Sequence, residues 1–208
     1  MKKTKEKLTK NKGFSLVELI IVIAIMAILA GTISLFVIRY IQKARVAKAT
    51  DEARVILNAV ESAIASNAGA DATLNTNRNF INSDGNDVEC GMITNWILGQ
   101  TQSGTEFTED DADYADYICA KEVLANLQSE ASDRYKFFKF NGSATRPIGM
   151  NCNSFFTTYG CPGVIVLYNN QGKVIFLEYY NYSSLIRYEN GEFIHMESDT
   201  FVDSDRIR

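Results

Sequence analysis

Between residues 14 and 38 the chain carries 25 consecutive positions of which one, Glu18, is charged. Wound as an α-helix, that run rises about 37 Å, more than the roughly 30 Å hydrocarbon core of a bilayer. The pattern predicts a membrane-spanning helix over 14–38. Further on, the apolar residues thin to a stripe at steps of three and four: Val46, Ala49, Ala53, Ile56, Leu57, Val60, Ala63 and Ile64. Arg45, Lys48, Asp51, Glu52 and Glu61 lie largely off that stripe, which is the signature of an amphipathic helix. Neither proline nor glycine interrupts 39–68, and Asn67-Ala68-Gly69 supplies residues suited to a helix C-terminus. One helix is therefore predicted from 14 to 68, its first half apolar and its second half packed by one face.

After Gly69 the composition turns to Asn, Thr, Asp and Ala, which reads as surface loop. Residues 92–98 form an apolar island holding the only tryptophan, Trp96. A second helix is predicted over 111–129, with acidic residues in its first turn where the helix dipole favours them. Residues 135–140 have strand composition. Runs at 163–168 and 173–180 are joined by Asn169-Asn170-Gln171-Gly172, and runs at 185–188 and 192–197 flank Asn190-Gly191; both are hairpin signals. Consecutive hairpins make an antiparallel β-meander over 163–197. The expected class is α+β, a long N-terminal helix packed on a C-terminal antiparallel sheet in two layers.

Charge sets the expected topology. The residues up to Gly13 hold six lysines and one glutamate, +5, whereas the whole chain is −4, so the remainder is −9. Lysines beside a spanning helix stay cytoplasmic, which places the acidic body outside. The organisation read from this is a cytoplasmic leader at 1–13, a span at 14–38 and an extracytoplasmic domain at 39–208. An acidic body argues against docking nucleic acid, which needs clustered Lys and Arg.

All four cysteines, Cys90, Cys119, Cys152 and Cys161, fall in the outer part. An even number outside the cytoplasm suggests two disulfides with three possible connectivities. A short intervening turn favours Cys152–Cys161, leaving Cys90–Cys119; four reduced cysteines are the plainer alternative. A zinc site lacks CxxC spacing, and His195 is the only histidine. The acids at 109–113 do not match a calcium-loop spacing and read as a solvated helix N-terminus. Asp199, Asp203 and Asp205 read as a charged tail. There is no Gly-rich phosphate loop and no nucleophile–base set, so neither an enzyme nor a cofactor is expected.

The remaining chemistry lies at Lys12-Gly13-Phe14. An ordinary secretory signal is cut after its apolar core; here the motif-like junction lies before it. Cleavage there would leave the helix on the mature chain, headed by a free amine at Phe14, with Glu18 one helical turn away. The string Gly-Phe-Ser-Leu-Val-Glu-Leu, after lysines and before an apolar run, resembles the class III signal of type IV prepilins and their pseudopilin relatives. The resemblance implies cleavage after Gly13 by a dual-function prepilin peptidase/N-methyltransferase and N-methylation of Phe14. It implies pairing of Glu18 with a neighbouring subunit's N-terminus to set axial register. Leu16, Val17, Leu19 and Ile20 would line a filament core of like subunits, other pilin subunits included, built on a pilus assembly platform. The protein would be a single-pass membrane protein before assembly and part of an extracellular pilus afterwards. Some pseudopilins hold calcium in their C-terminal region. Pilins often carry a proline in the second half of the membrane helix; this chain has none before Pro147, and Gly31-Thr32 is the nearest weak point. A pseudopilin of a type II secretion or DNA-uptake system shares the motif. An unprocessed single-pass receptor is a third reading, and it leaves Glu18 and the Gly–Phe junction unexplained.

Overall fold

The computed structural model describes residues 13–68, 78–129, 140–141, 145–181 and 183–208. The chain falls into two units, Met1–Lys43 and Ala44–Arg208. Helix α1, Leu16–Ala68, is a single 53-residue α-helix, as the pattern predicts. In the first unit every described side chain over 13–43 is exposed. Helix α1 passes through Gly31 without a break. There the hydroxyls of Thr32 and Ser34 donate to the carbonyls of Leu29 at 3.0 Å and Ala30 at 2.5 Å, the back-bonding available to Thr and Ser inside a helix.

In the second unit the stripe is covered. Ala49, Ala53, Ile56, Leu57, Val60, Ala63 and Ile64 are buried and Val46 is half-buried. They pack on an antiparallel sheet of six strands in sequence order: β1 (Arg78–Ile81), β2 (Asp87–Thr94), β3 (Gly163–Tyr168), β4 (Val174–Tyr180), β5 (Leu185–Glu189) and β6 (Glu192–Met196). Helix α1 is also tied to β4 by polar contacts: Glu52 accepts from the Tyr179 hydroxyl at 3.0 Å and from Asn181 Nδ2 at 2.8 Å. Helices α2 (Asn95–Gln102) and α3 (Tyr114–Ser129) share this core. The helix expected over 111–129 thus begins three residues later. The apolar island at 92–98 divides between the end of β2 and the start of α2.

The hairpins explain why the meander extends beyond the four strands expected. Asn82 and Asn169 head two turns of the same build. Asn82 Oδ1 accepts the backbone N–H of Asp84 at 3.0 Å and of Asn86 at 2.9 Å. Asn169 Oδ1 accepts those of Gln171 at 3.1 Å and Lys173 at 2.9 Å. In each the fourth residue is a glycine at positive φ, Gly85 at 80° and Gly172 at 78°, where a side chain would be strained. The β1–β2 hairpin therefore lies in the stretch read as surface loop, and Asn82-Ser83-Asp84-Gly85 is its signal. Asn190 and Gly191, both at positive φ, form the third turn as Asn-Gly pairs do.

A two-layer arrangement is corrected to three. Strand β3 is buried at all six positions: Val164, Val166 and Tyr168 face the helix-side core, Ile165 and Leu167 a second one. Unbroken apolar strands of this kind need cover on both faces. The second face is sealed by α4 (Cys152–Tyr159) and by Phe201, Val202 and Ile207 of the C-terminal segment. That segment is pinned along its length. Phe201 N–H donates to the Met150 carbonyl at 3.0 Å, and Asn79 and Arg208 exchange two backbone hydrogen bonds of 2.8 Å at the β1 edge. Buried Glu178 takes two hydrogen bonds from Arg187, at 2.9 and 2.7 Å, and one from Val202 N–H at 2.6 Å. The tail around Asp199, Asp203 and Asp205 is thus part of the core's lid. The strand expected at 135–140 lies outside the described residues except for Phe140, which is buried and outside any strand.

The expected disulfides are not shown; all four cysteines are free and buried. Where a short turn was expected, α4 separates Cys152 from Cys161. Asn151 caps it by accepting from Ser154 N–H at 3.0 Å, and Gly160 at φ 66° ends it. Cys152 and Cys161 belong to the same core on the second face of the sheet. Cys90 belongs to the core on one face of the sheet and Cys119 to the core on the other, so the sheet separates that pair. Burial pushes the Cys90 thiol up to about 11 and the Cys152 thiol up to about 12, and raises Cys161 as well.

Two outcomes follow. An aromatic disulfide reagent at pH 7 should find no fast-reacting thiol in the native protein and four after guanidinium unfolding; recovery of none would restore the bridges. A Cβ added at Gly163 would meet Phe201 Cζ at 2.1 Å. Gly163→Ala should therefore cost about 1–3 kcal/mol by overpacking, read from chemical denaturation; an unchanged midpoint would show that Phe201 does not hold the lid there.

Candidate functional site

Residues 13–15 precede the helix, and α1 opens at Leu16. Ser15 is its N-cap: Ser15 Oγ accepts Val17 N–H at 3.3 Å, and the Ser15 carbonyl accepts Leu19 N–H at 3.2 Å. Glu18 reaches back, its Oε2 accepting Ser15 N–H at 2.9 Å. Ser-x-x-Glu used reciprocally in this way is a capping box, which satisfies donors that a helix start otherwise leaves unpaired. The reading of the sequence gave Glu18 a purpose but missed Ser15, although the Ser15-Leu16-Val17-Glu18 spacing was the signal for it. A carboxylate in the first turn also meets the positive end of the helix dipole.

Among the described residues of its own unit, the helix that follows has no packing partner. Phe14 is 84% exposed, and Leu16, Val17, Leu19 and Ile20 are all exposed. Helix α1 is long and apolar enough to cross a membrane, and none of its most apolar window is buried. Leaving so many large apolar side chains in water is unfavourable by roughly 25 cal/mol per Å², so this surface requires lipid or other protein. At Gly13 a Cβ would meet nothing within 4 Å.

Of the acids at 109–113 named from the sequence, Asp111 and Asp113 are engaged by neighbouring side chains, as is Asp116, which the sequence did not single out. Asp111 Oδ2 accepts from Thr108 N–H at 2.8 Å and from its hydroxyl at 3.0 Å. Asp113 is bridged by Arg78 at 2.8 Å and Arg146 at 2.9 Å, and buried Asp116 by Arg78 at 3.0 Å. Among the described residues no group of three or more His, Cys, Asp or Glu is placed to hold a metal ion. His195 lies on exposed β6.

Residues 8–34 match the family model for the prokaryotic N-terminal methylation motif. The chain thus bears the type IV pilin/prepilin signature across the Gly13–Phe14 junction and the apolar start of α1. The chain has no significant match to a curated protein or to a solved structure.

The capping box separates two properties of Glu18. Glu18→Gln keeps an oxygen acceptor for Ser15 N–H, whereas Glu18→Ala removes it, at a cost of about 1 kcal/mol at the helix start. In detergent micelles the Ser15 amide should stay protected from hydrogen exchange in E18Q and lose protection in E18A. Equal protection in both would show that the carboxylate does not cap.

Proposed function

We propose that this chain, which carries the prepilin signature, is a structural subunit of an extracellular type IV pilus. In this reading it is cut after Gly13 and polymerises through its N-terminal helix. The observation that carries the reading is Gly13-Phe14 standing directly before a capped helix whose apolar surface the described residues of its own unit leave bare. Gly13 has open space around it, so packing gives no reason for a glycine there. A peptidase that must fit the chain closely would supply one.

Cleavage creates an ammonium at Phe14, which the same class of enzyme methylates. Glu18 then lies within one turn of a positive charge as well as of the helix dipole. Ser15 N–H occupies one of its oxygens, and a carboxylate has further acceptor sites for an ammonium. In the bilayer an unpaired carboxylate near the hydrocarbon is costly, so pairing with the amine of the next subunit favours one axial register. Leu16, Val17, Leu19 and Ile20 face lipid before assembly and neighbouring helices afterwards. Since lipid and protein interiors are similarly apolar, the exchange rests on packing and on this polar pair more than on hydrophobic gain. The assembly platform that lifts the subunit from the membrane is the other partner in this scheme. Helices packed on a sheet from Ala44 onward would form the outer surface.

The test is the intact mass and N-terminal sequence of this protein in material sheared from cells. A chain beginning at methylated Phe14 in that fraction is expected. A processed chain confined to membranes would favour a pseudopilin, and retention of residues 1–13 would overturn processing altogether. In cells making only the variant, both E18A and E18Q should yield no filaments if charge sets register. Normal filaments from E18Q would reduce the role of Glu18 to capping.

A further inference from the structure

At one end of the sheet the three hairpin turns meet around a cleft of about 360 Å³, within the range that holds small ligands. Each turn contributes an asparagine to its wall: Asn82, Asn169 and Asn190. Gln171 and Lys173 add further donors, and half-buried Tyr188 offers an aromatic side. Among the described residues no acidic side chain lines the cleft, although the chain as a whole is net acidic.

The turns decide which polar atoms remain for a ligand. Asn82 and Asn169 each spend Oδ1 on two backbone N–H groups of their own turn. That orientation leaves each Nδ2 amide facing away from the turn's N–H groups, and neither makes a hydrogen bond to a described residue. Asn190 Nδ2 is already given to Ser83 Oγ at 3.1 Å. Lys173 forms no salt bridge with a described residue. The cleft therefore presents the amide donors of Asn82 and Asn169, one cation and an apolar side, beside the acceptor oxygens of Asn190 and Gln171. The ring and hydroxyl oxygens of a sugar accept from the two amides, its hydroxyls donate to the Asn190 and Gln171 oxygens, a carboxylate meets Lys173, and a pyranose has an apolar face to lay on Tyr188.

We propose that this cleft binds an acidic oligosaccharide, pyranose units bearing carboxylates, through the Asn82 and Asn169 amides and the Lys173 ammonium. The proposal is independent of whether the chain polymerises. Asn169→Asp keeps the oxygen on which the turn depends, removes the amide donor and adds a repelling charge. Lys173→Gln removes the cation, and Lys173→Arg retains it. Full-length protein in detergent micelles would be titrated with trigalacturonic acid at low salt, with maltotriose as the neutral control. Saturable binding of the uronate is expected, without binding of maltotriose. N169D and K173Q should each weaken it about tenfold or more, the scale of one lost charge-assisted hydrogen bond, and K173R should retain most of it. Thermal melting beside the wild type verifies that each variant is folded. The proposal is overturned by the absence of binding at about 10 mM uronate, by equal binding of maltotriose, or by unchanged affinity in folded N169D and K173Q.

Discussion

The constraint on which the rest depends is the surface of α1. A 53-residue helix is apolar all round in its first half and on one face only in its second. No described residue of the first unit covers the former, whereas strands β2 to β6, α2 and α3 cover the latter. Hydrophobic burial is non-directional and follows area, so the chain satisfies the requirement within the second unit and leaves it open in the first. That open requirement is what makes a bilayer or other protein the natural surroundings of the N-terminal helix. The charges at its head follow from the same condition. Close to hydrocarbon, Glu18 must have partners, and Ser15 N–H is one that its own chain supplies.

The outer domain meets the opposite problem, a sheet with two apolar faces and one long helix to cover them. The second face is closed by α4 and by the C-terminal segment, and polar groups hold that lid in place. Glu178 is buried, where an unpaired carboxylate would be prohibitive; two donors from Arg187 and one from Val202 answer it. Burial still raises its carboxyl above the usual range. Arg206 performs a similar service at the β1 edge, donating to the Ile81 carbonyl and to Glu189 while lying over Phe80. The last residues are therefore structural, held by hydrogen bonds and packing along their length.

The regular build of the hairpins has a consequence for the surface. In a meander alternate turns share one end of the sheet, so β1–β2, β3–β4 and β5–β6 turn together. Because two of these turns use asparagine oxygens internally, amide donors collect at that end. A cleft whose chemistry differs from that of the acidic chain around it arises from turn formation itself.

The long helix, expected over 14–68 and found at Leu16–Ala68, its buried stripe, the four C-terminal strands and the motif at Gly13, Phe14 and Glu18 were all legible in the sequence alone. Periodicity and turn residues act locally, and a run of 25 residues with one charge has few alternatives. The capping box and the Asn82 turn were equally local, but each needed a spacing to be recognised within an apolar or polar stretch. The tertiary structure alone decided which elements share a core. It set Cys90 and Cys119 on opposite sides of the sheet, put α4 between Cys152 and Cys161, and folded an acidic tail over an apolar face. These depend on contacts between residues distant in the chain, which strand order and the demand for cover on both faces of β3 create, and which no local pattern encodes.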